Sequence, residues 1–197
     1  MVDYWYSGCT LHQMSELKFG TSSVISGENG SLGGAYARVA HFLTDTFGIQ
    51  RDWRVLDVGC CYGDILHDID CADRVGVDEL DRAHYDDVTM HVTDATQGLP
   101  FKDGEFDLAF SHGMIQLCQE AGGKAAVEEL ERVGKRTAIM DCPYLENMTE
   151  YNSLRKQAGK PNHWGYSPKW FADRGYSVTR NFPYTFNHHL KFNAVRG

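Results

Sequence analysis

VLDVGCCYG at 55–63, read with RVGVD at 74–78 and VTMHV at 88–92, decides the fold. Each carries a short apolar run, closed by Asp57 and Gly59 in the first, by Asp78 in the second and by Thr93-Asp94 after the third, and short apolar runs closed by a turn signal read as buried strands. In the first, Asp57 and Gly59 close the strand, Gly59 and Gly63 bracket a turn, and Ile65, Leu66 and Ile69 open a short helix. A strand that turns through glycines directly into a helix is the front half of a parallel β-α-β unit.

The pattern continues outward in both directions. Upstream, 34–47 places Tyr36, Val39, Leu43 and Phe47 on one helical face and stops at Gly48. Downstream, 106–111 and 136–141 read as the fourth and fifth strands, with a helix over 124–133 between them that carries Ala126, Leu130 and Val133 on one face. A polar loop-and-helix segment fills 144–166. Ser167-Pro168 opens another helix as an N-cap and first-turn pair. Two strands, 176–182 and 189–195, close the chain around a turn that contains a proline. Short apolar strands alternating with helices give an α/β architecture with a mainly parallel sheet covered on both faces. In such sheets ligands sit at the carboxyl ends of the strands.

Those ends carry the chemistry. They are the Asp57–Gly63 turn, Asp78, Asp94, and Ser111-His112. Asp78 lies 21 residues after Asp57, an offset that suits a carboxylate on a ribose diol. Asp94 is placed to accept from an adenine amine. The frame Gly59-Cys60-Cys61-Tyr62-Gly63-Asp64 lacks the second and third glycines of a dinucleotide fingerprint, and no G-K-[ST] follows. A nucleoside without phosphates fits better than a dinucleotide or a nucleoside triphosphate.

Composition narrows the classes. The chain has 197 residues, 42% hydrophobic and 23% charged, which describes a globular protein rather than a disordered one. Lys+Arg 19 against Asp+Glu 27 gives a net charge of -8, which disfavours nucleic acid as a partner. The segment 155–169, with Arg155, Lys156, Lys160 and Lys169, reads as a solvated basic face. No apolar window reaches membrane-helix length, and no basic-then-apolar leader is visible at the N-terminus. The cysteines at 9, 60, 61, 71, 118 and 142 form no C-x-x-C pair, so reduced thiols and a cytoplasmic setting are expected.

VLDVGCCYG, VGVDELD and VTDATQGLPFKDGEFDLAFS together resemble the class I S-adenosylmethionine-dependent methyltransferases, over roughly residues 53–142. The resemblance implies a Rossmann-like three-layer sandwich with a seven-stranded, mainly parallel sheet whose last strand is antiparallel and inserted near one edge. It implies S-adenosylmethionine as cofactor. It assigns Asp57, Gly59, Cys60, Cys61 and Gly63 to the glycine-rich turn beside the methionine part, and Asp78, with Glu79 beside it, to the ribose. Asp94 and Ala95 fall at the adenine, and Ser111 with His112 next to the methyl group. Two departures stand out. Cys61 replaces a glycine; its side chain either narrows the cofactor cleft or is accommodated if its backbone stays at negative φ. Only ELDRAHYDD separates Asp78 from the third strand, which shortens the helix expected there.

The expected activity is N- or O-methylation of a small-molecule or sugar-like acceptor. His112 is the candidate base; the competing reading is a histidine that packs without moving a proton. Asp141, His163 and Tyr166 are candidate substrate residues, against a helix cap or surface acid for Asp141 and plain loop packing for the other two. His188-His189 does not make a metal site, since no carboxylate is spaced to join it. Residues 1–33 read as an arm or lid in which Tyr4-Trp5-Tyr6 folds over the cofactor or packs on the body. Residues 34–197 read as one domain with a substrate lid at 144–166. A non-catalytic cofactor-binding or regulatory module of the same fold is the alternative function. A nicotinamide oxidoreductase is disfavoured by the missing glycines.

Overall fold

The computed structural model describes residues 33–82, 84–181 and 188–197. The arm at 1–32, including Tyr4-Trp5-Tyr6, and the proline turn lie outside the described residues. Helix α1 (Gly33–Phe47) ends where Gly48 takes a left-handed φ of 62°. Strand β1 (Arg54–Val58) leads to the four-residue helix α2 (Asp64–His67), then to β2 (Asp73–Asp78), β3 (Thr89–Val92) and β4 (Leu108–His112). Helix α3 (Glu120–Val133), β5 (Thr137–Pro143), α4 (Met148–Gln157), α5 (Pro168–Ala172), β6 (Ser177–Arg180) and β7 (Lys191–Arg196) complete the order.

The sheet has seven strands in the order β3-β2-β1-β4-β5-β7-β6. Strands β1 to β5 pair in parallel, and β7 inserts antiparallel between β5 and β6. This is the mainly parallel seven-stranded sheet that the alternation and the resemblance imply. The strand order reverses between β1 and β4, so a crevice opens at their carboxyl ends.

Apolar alternation decides what covers each face. On one side Val39 and Leu43 of α1 and Ile65 and Leu66 of α2 pack on Val55, Leu108 and Phe110. On the other, Val127 and Leu130 of α3 and Phe171 of α5 pack on Leu56, Ile139 and Phe192. Each large apolar side chain buried this way contributes roughly 1.5–3 kcal/mol.

Three local readings are corrected. Strand β4 starts at Leu108 rather than Phe106, which makes only an isolated bridge to Gly134. Ser167 precedes α5 with Pro168 at its start, but its side chain makes no capping bond. Between β2 and β3 the described residues form no helix. That connection is held by stacked rings instead: His84 on Tyr62 at 4.5 Å and Tyr85 on His67 at 4.0 Å, with Tyr85 Oη donating to Asp64 Oδ1 at 2.9 Å.

Candidate functional site

The turn after β1 is tied to the end of β2. Gly59 and Cys60 both donate their N–H to Val77 O, at 2.7 and 3.1 Å. Gly59 has φ 81°, and a Cβ on it would stand 2.4 Å from Met114 Cβ, so both backbone conformation and packing require glycine. Cys61 has φ 52°. The condition for easy accommodation, a negative φ, is not met: the turn keeps the left-handed bend that a glycine takes freely, and a cysteine bears it.

Asp78 holds that bend. Its Oδ2 accepts the Cys61 N–H at 3.0 Å and its Oδ1 accepts the Leu80 N–H at 3.2 Å. A carboxylate offers about four lone-pair sites, so each oxygen retains capacity for a further donor. The Cys61 thiol is half-buried with Arg82 Nη1 at 4.0 Å. Cys60 is different: its thiol lies in the core, 3.3 Å from Met90 Sδ and against Gly76, away from the turn's outer surface.

Acids cluster at the same sheet end. The Glu79 carboxyl is pushed up by desolvation and by the charges of Asp94 and Asp78. Asp94 Oδ1 accepts from Thr96 N at 2.8 Å and Thr96 Oγ1 at 2.7 Å, a local turn that fixes its orientation. Ala95 is buried in the core beside Leu99. Asp57 is 2% exposed and its Oδ1 has no hydrogen-bond partner among the described residues. Burial, then the charge of Asp78, holds the Asp57 carboxyl well above the usual carboxylate range.

Strand β4 ends beside it, since Asp57 pairs with Phe110 and Ser111 follows. Ser111 Oγ and His112 Nε2 are both buried without a hydrogen-bond partner among the described residues. Burial pushes the His112 imidazole down, so it stays neutral. The Tyr36 ring meets it edge-on at 6.0 Å, and burial raises the Tyr36 hydroxyl to about 12.

Next to β4, Asp141 sits at a register shift in the β5–β7 pairing and has φ 63°. The bulge turns its side chain toward Lys191 Nζ, 2.7 Å away, and Asn181 Nδ2, 2.6 Å away, while its N–H donates to Asn193 Oδ1. The ion pair is nearly sealed, with side chains 5% and 13% exposed. Asp141 is thus part of a buried polar network rather than a helix cap.

His163 and Tyr166 are not brought to this cluster by free side chains. His163 Nδ1 meets Tyr151 Oη at 3.2 Å, and its backbone exchanges hydrogen bonds with the Asn152 amide. Tyr166 is 2% exposed and its hydroxyl donates to Ile115 O at 2.9 Å, close under Gly123. It is a core residue, which corrects the expectation that it lines a substrate pocket. Both residues anchor 144–166: Tyr144 bridges to Tyr166, and the Trp164 N–H donates to Gln116 O at 2.9 Å.

Several polar residues escaped the sequence reading. Gln116 and Asn193 are each 1% exposed, and Gln116 Oε1 and Asn193 Nδ2 have no hydrogen-bond partner among the described residues. One signal was available: Lys191 and Asn193 share a face, at a spacing of two, of a strand whose other residues before Arg196 are apolar. Gln116 carried no such signal. Among the described residues no group of His, Cys, Asp or Glu could hold a metal, and no helix is long and apolar enough to cross a membrane.

Comparison with known proteins agrees with this arrangement. Residues 56–140 match the family model described as a methyltransferase domain. Comparison with curated proteins finds no match. Among solved structures, magnesium protoporphyrin IX methyltransferase of Synechocystis with bound S-adenosylhomocysteine is 17% identical, covers 84% of this chain and 83% of its own, and has a TM-score of 0.59. A Methanococcus maripaludis protein described as an S-adenosyl-L-methionine-dependent methyltransferase is 16% identical over 94% of this chain and 90% of its own, with a TM-score of 0.57. A Thermotoga maritima SAM-dependent methyltransferase is 17% identical over 83% and 89%, with a TM-score of 0.56.

The polar groups at the sheet end suit S-adenosylmethionine. Asp57 Oδ1 is a buried acceptor without a partner, Asp78 retains lone pairs, and Glu79 and Asp94 add carboxylates along the rim. A set made mostly of acceptors complements a ligand whose hydroxyls, amine and ammonium are donors. With this strand order and this turn the chain has a Rossmann-like fold, and its residues 56–140 are similar to the methyltransferase domain family.

Proposed function

We propose that the chain methylates a nitrogen or oxygen of a small-molecule acceptor, with His112 as the base. The observation that carries the reading is a pair of buried polar atoms on one face of adjoining strands without partners among the described residues, Asp57 Oδ1 on β1 and His112 Nε2 on β4, with Ser111 Oγ likewise unpartnered on the opposite face of β4. Buried polar groups are nearly always satisfied, so a run of exceptions at one sheet end points to a ligand.

S-adenosylmethionine, when bound, supplies a methyl on a sulfonium, whose carbon–sulfur bond breaks with its electron pair left on sulfur as the acceptor's lone pair takes the carbon. The chain's own contribution is alignment and proton removal. Asp78 grips the ribose while bracing the turn at Cys61. Asp57 faces the donor groups of the methionine part. His112, kept neutral by burial, receives the acceptor's proton on Nε2. The segment 144–166, pinned by Tyr166 and Trp164, walls the acceptor side against water.

Calorimetry with S-adenosylhomocysteine, followed by its production from S-adenosylmethionine across an acceptor library, tests this. His112→Ala should bind S-adenosylhomocysteine as wild type does and turn over at least about 100-fold more slowly. Unchanged turnover removes His112 as the base. Tight cofactor binding with no acceptor turned over supports the non-catalytic binding module instead.

A further inference from the structure

The segment 155–169 is not a solvated basic face throughout. Lys156 is exposed, and Lys169 is exposed beside Asp173, but Arg155 is 8% exposed. It lies four residues after Tyr151, so α4 turns these two side chains inward on one face. The guanidinium donates from Nε to the Pro161 carbonyl and lies 5.9 Å from the centre of the Tyr151 ring. Among the described residues no carboxylate pairs with it. Arginine is almost never buried this deeply without a paired anion.

A second buried cation shares the same ring. Lys191 Nζ lies 5.7 Å from the Tyr151 ring centre and 2.7 Å from Asp141 Oδ2. The Tyr151 hydroxyl meets His163 Nδ1, and the Lys160 N–H donates to Arg155 O. Burial and the charges of Arg155, Lys191 and Lys160 push His163 down to about 2, so it adds no charge and takes none away. Among the described residues Asp141 is the one carboxylate that acts on both Tyr151 and Arg155. In a chain of net charge -8 this is a local excess of positive charge.

The sheet ties that excess to His112. Lys191 and Asn193 are two apart on β7 and point to the side where Val195 and Met140 pack. His112 is the register partner of Met140 and points to the same side. The register shift between Ile139 and Cys142, with φ 63° at Asp141, brings Asp141 onto that side as well, against Lys191. There the Asp141 N–H takes Asn193 Oδ1, which leaves Asn193 Nδ2 a buried donor with no partner among the described residues. An unmet donor and an unneutralised guanidinium call for the same thing, an acceptor of negative charge.

We propose that Arg155, with Lys191 beside it, holds an oxyanion carried by the methyl acceptor, a carboxylate or a phosphate. The guanidinium fork matches the paired oxygens of either group. The proposal rests on the methyl-transfer reading of the same sheet end and makes Arg155 a specificity-determining residue. It narrows the acceptor to an anionic small molecule, since a neutral sugar would leave the guanidinium uncompensated.

Three probes of similar body test this: benzoate, phenyl phosphate and the neutral benzyl alcohol. Binding is followed by ligand-observed NMR on the full chain at constant ionic strength, with and without S-adenosylhomocysteine, whose own binding is measured first by calorimetry. Wild type should prefer at least one anion over the alcohol by about tenfold or more, the least that a charge-assisted hydrogen bond is worth. The tighter of the two anions names the group. Arg155→Met should erase the preference, and Arg155→Gln serves if the methionine variant does not fold. Lys156→Met removes the same charge from the exposed neighbour and should leave the preference intact. No preference in wild type, a preference that survives both Arg155 variants, or an equal loss in Lys156→Met overturns the proposal. Loss of S-adenosylhomocysteine affinity in a folded Arg155 variant also overturns it, since the anion would then be the cofactor's own carboxylate. Failure of S-adenosylhomocysteine to bind wild type instead overturns the methyl-transfer reading, and the anion preference still reports on Arg155 in its absence.

Discussion

The backbone N–H of Cys61 donates to Asp78 Oδ2 at 3.0 Å. The residue expected on the ribose is thus also the brace of the glycine-rich turn. Asp78→Ala removes acceptors for both Cys61 and Leu80 and leaves their N–H groups unmet. Hydrogen bonds to a charged group contribute about 1.5–3 kcal/mol each, so the variant should lose S-adenosylhomocysteine affinity by more than tenfold and stability as well. Asp78→Asn retains one carbonyl acceptor and should lose less of both. Calorimetry and thermal melting separate the two effects, and an alanine variant with wild-type affinity defeats the ribose assignment.

Cys61 pays for its left-handed backbone. A residue with a Cβ in that region costs roughly 1–2 kcal/mol, and glycine's extra freedom when unfolded returns roughly 0.5–1 kcal/mol of that. Cys61→Gly should therefore be about as stable as wild type or up to about 1.5 kcal/mol more stable. Cys61→Val, with a branched Cβ, should be clearly less stable. Thermal denaturation of the pair decides; a valine variant as stable as the glycine variant would mean that the φ of 52° is relaxed in solution.

The strands and their polar ends were legible because period and punctuation are local properties. VLDVG and VGVD declare strand, stop and acid within a few residues, and the structure places Asp57 and Asp78 at the ends of β1 and β2. The φ of Cys61 was not legible, because a cysteine in a glycine position gives no local sign of which way the backbone yields. Neither was the fate of Tyr166, whose hydroxyl is claimed by Ile115 from 51 residues away. Nor was the Asp141–Lys191 pair, which needs β7 to insert beside β5. Long-range pairing decides which polar side chains face a ligand and which are consumed by the fold.

Gly123 in α3 is where this long-range packing is tightest. A Cβ there would stand 1.8 Å from Tyr166 Oη and 2.8 Å from Ile115 O. Gly123→Ala gains helix propensity of roughly 0.8–1 kcal/mol, yet overpacking of this kind costs roughly 1–3 kcal/mol or more. Net destabilisation is expected in denaturant melts. Tyr166→Phe in the same chain removes the clashing hydroxyl and should recover part of the loss. Additive losses in the double variant would show that the two sites do not meet.

Acid should weaken the fold through two histidines. Burial and the charges of Arg155, Lys191 and Lys160 push His163 down to about 2, and burial pushes His112 in the same direction. Both must be neutral in the folded chain, whereas an unfolded histidine titrates near 6.5. Their contribution is whole above about pH 6.5 and declines as pH falls from there toward the folded values. His163→Gln keeps an acceptor for Tyr151 and removes the titration. Its melting temperature should fall less than that of wild type between pH 7 and pH 5, and an equal fall would place the acid sensitivity elsewhere.

The Asp141–Lys191 pair tests whether this end of the sheet is built for stability or for a ligand. Removing one partner of a buried pair strands the other charge and costs about 3–5 kcal/mol. Lys191→Met should therefore be strongly destabilising, since Asp141 stays beside Asn181 and Asn193 with its charge uncompensated. Asp141→Asn with Lys191→Met removes both charges, and asparagine tolerates the left-handed φ of 63°. The double variant should recover most of the lost stability, because a neutral, well-filled replacement for a buried pair is often no worse than the pair itself. If it does so while binding S-adenosylhomocysteine normally and turning over acceptor poorly, the charges are kept for the acceptor rather than for the fold. A double variant as unstable as Lys191→Met alone would instead make the pair a structural clamp between β5 and β7.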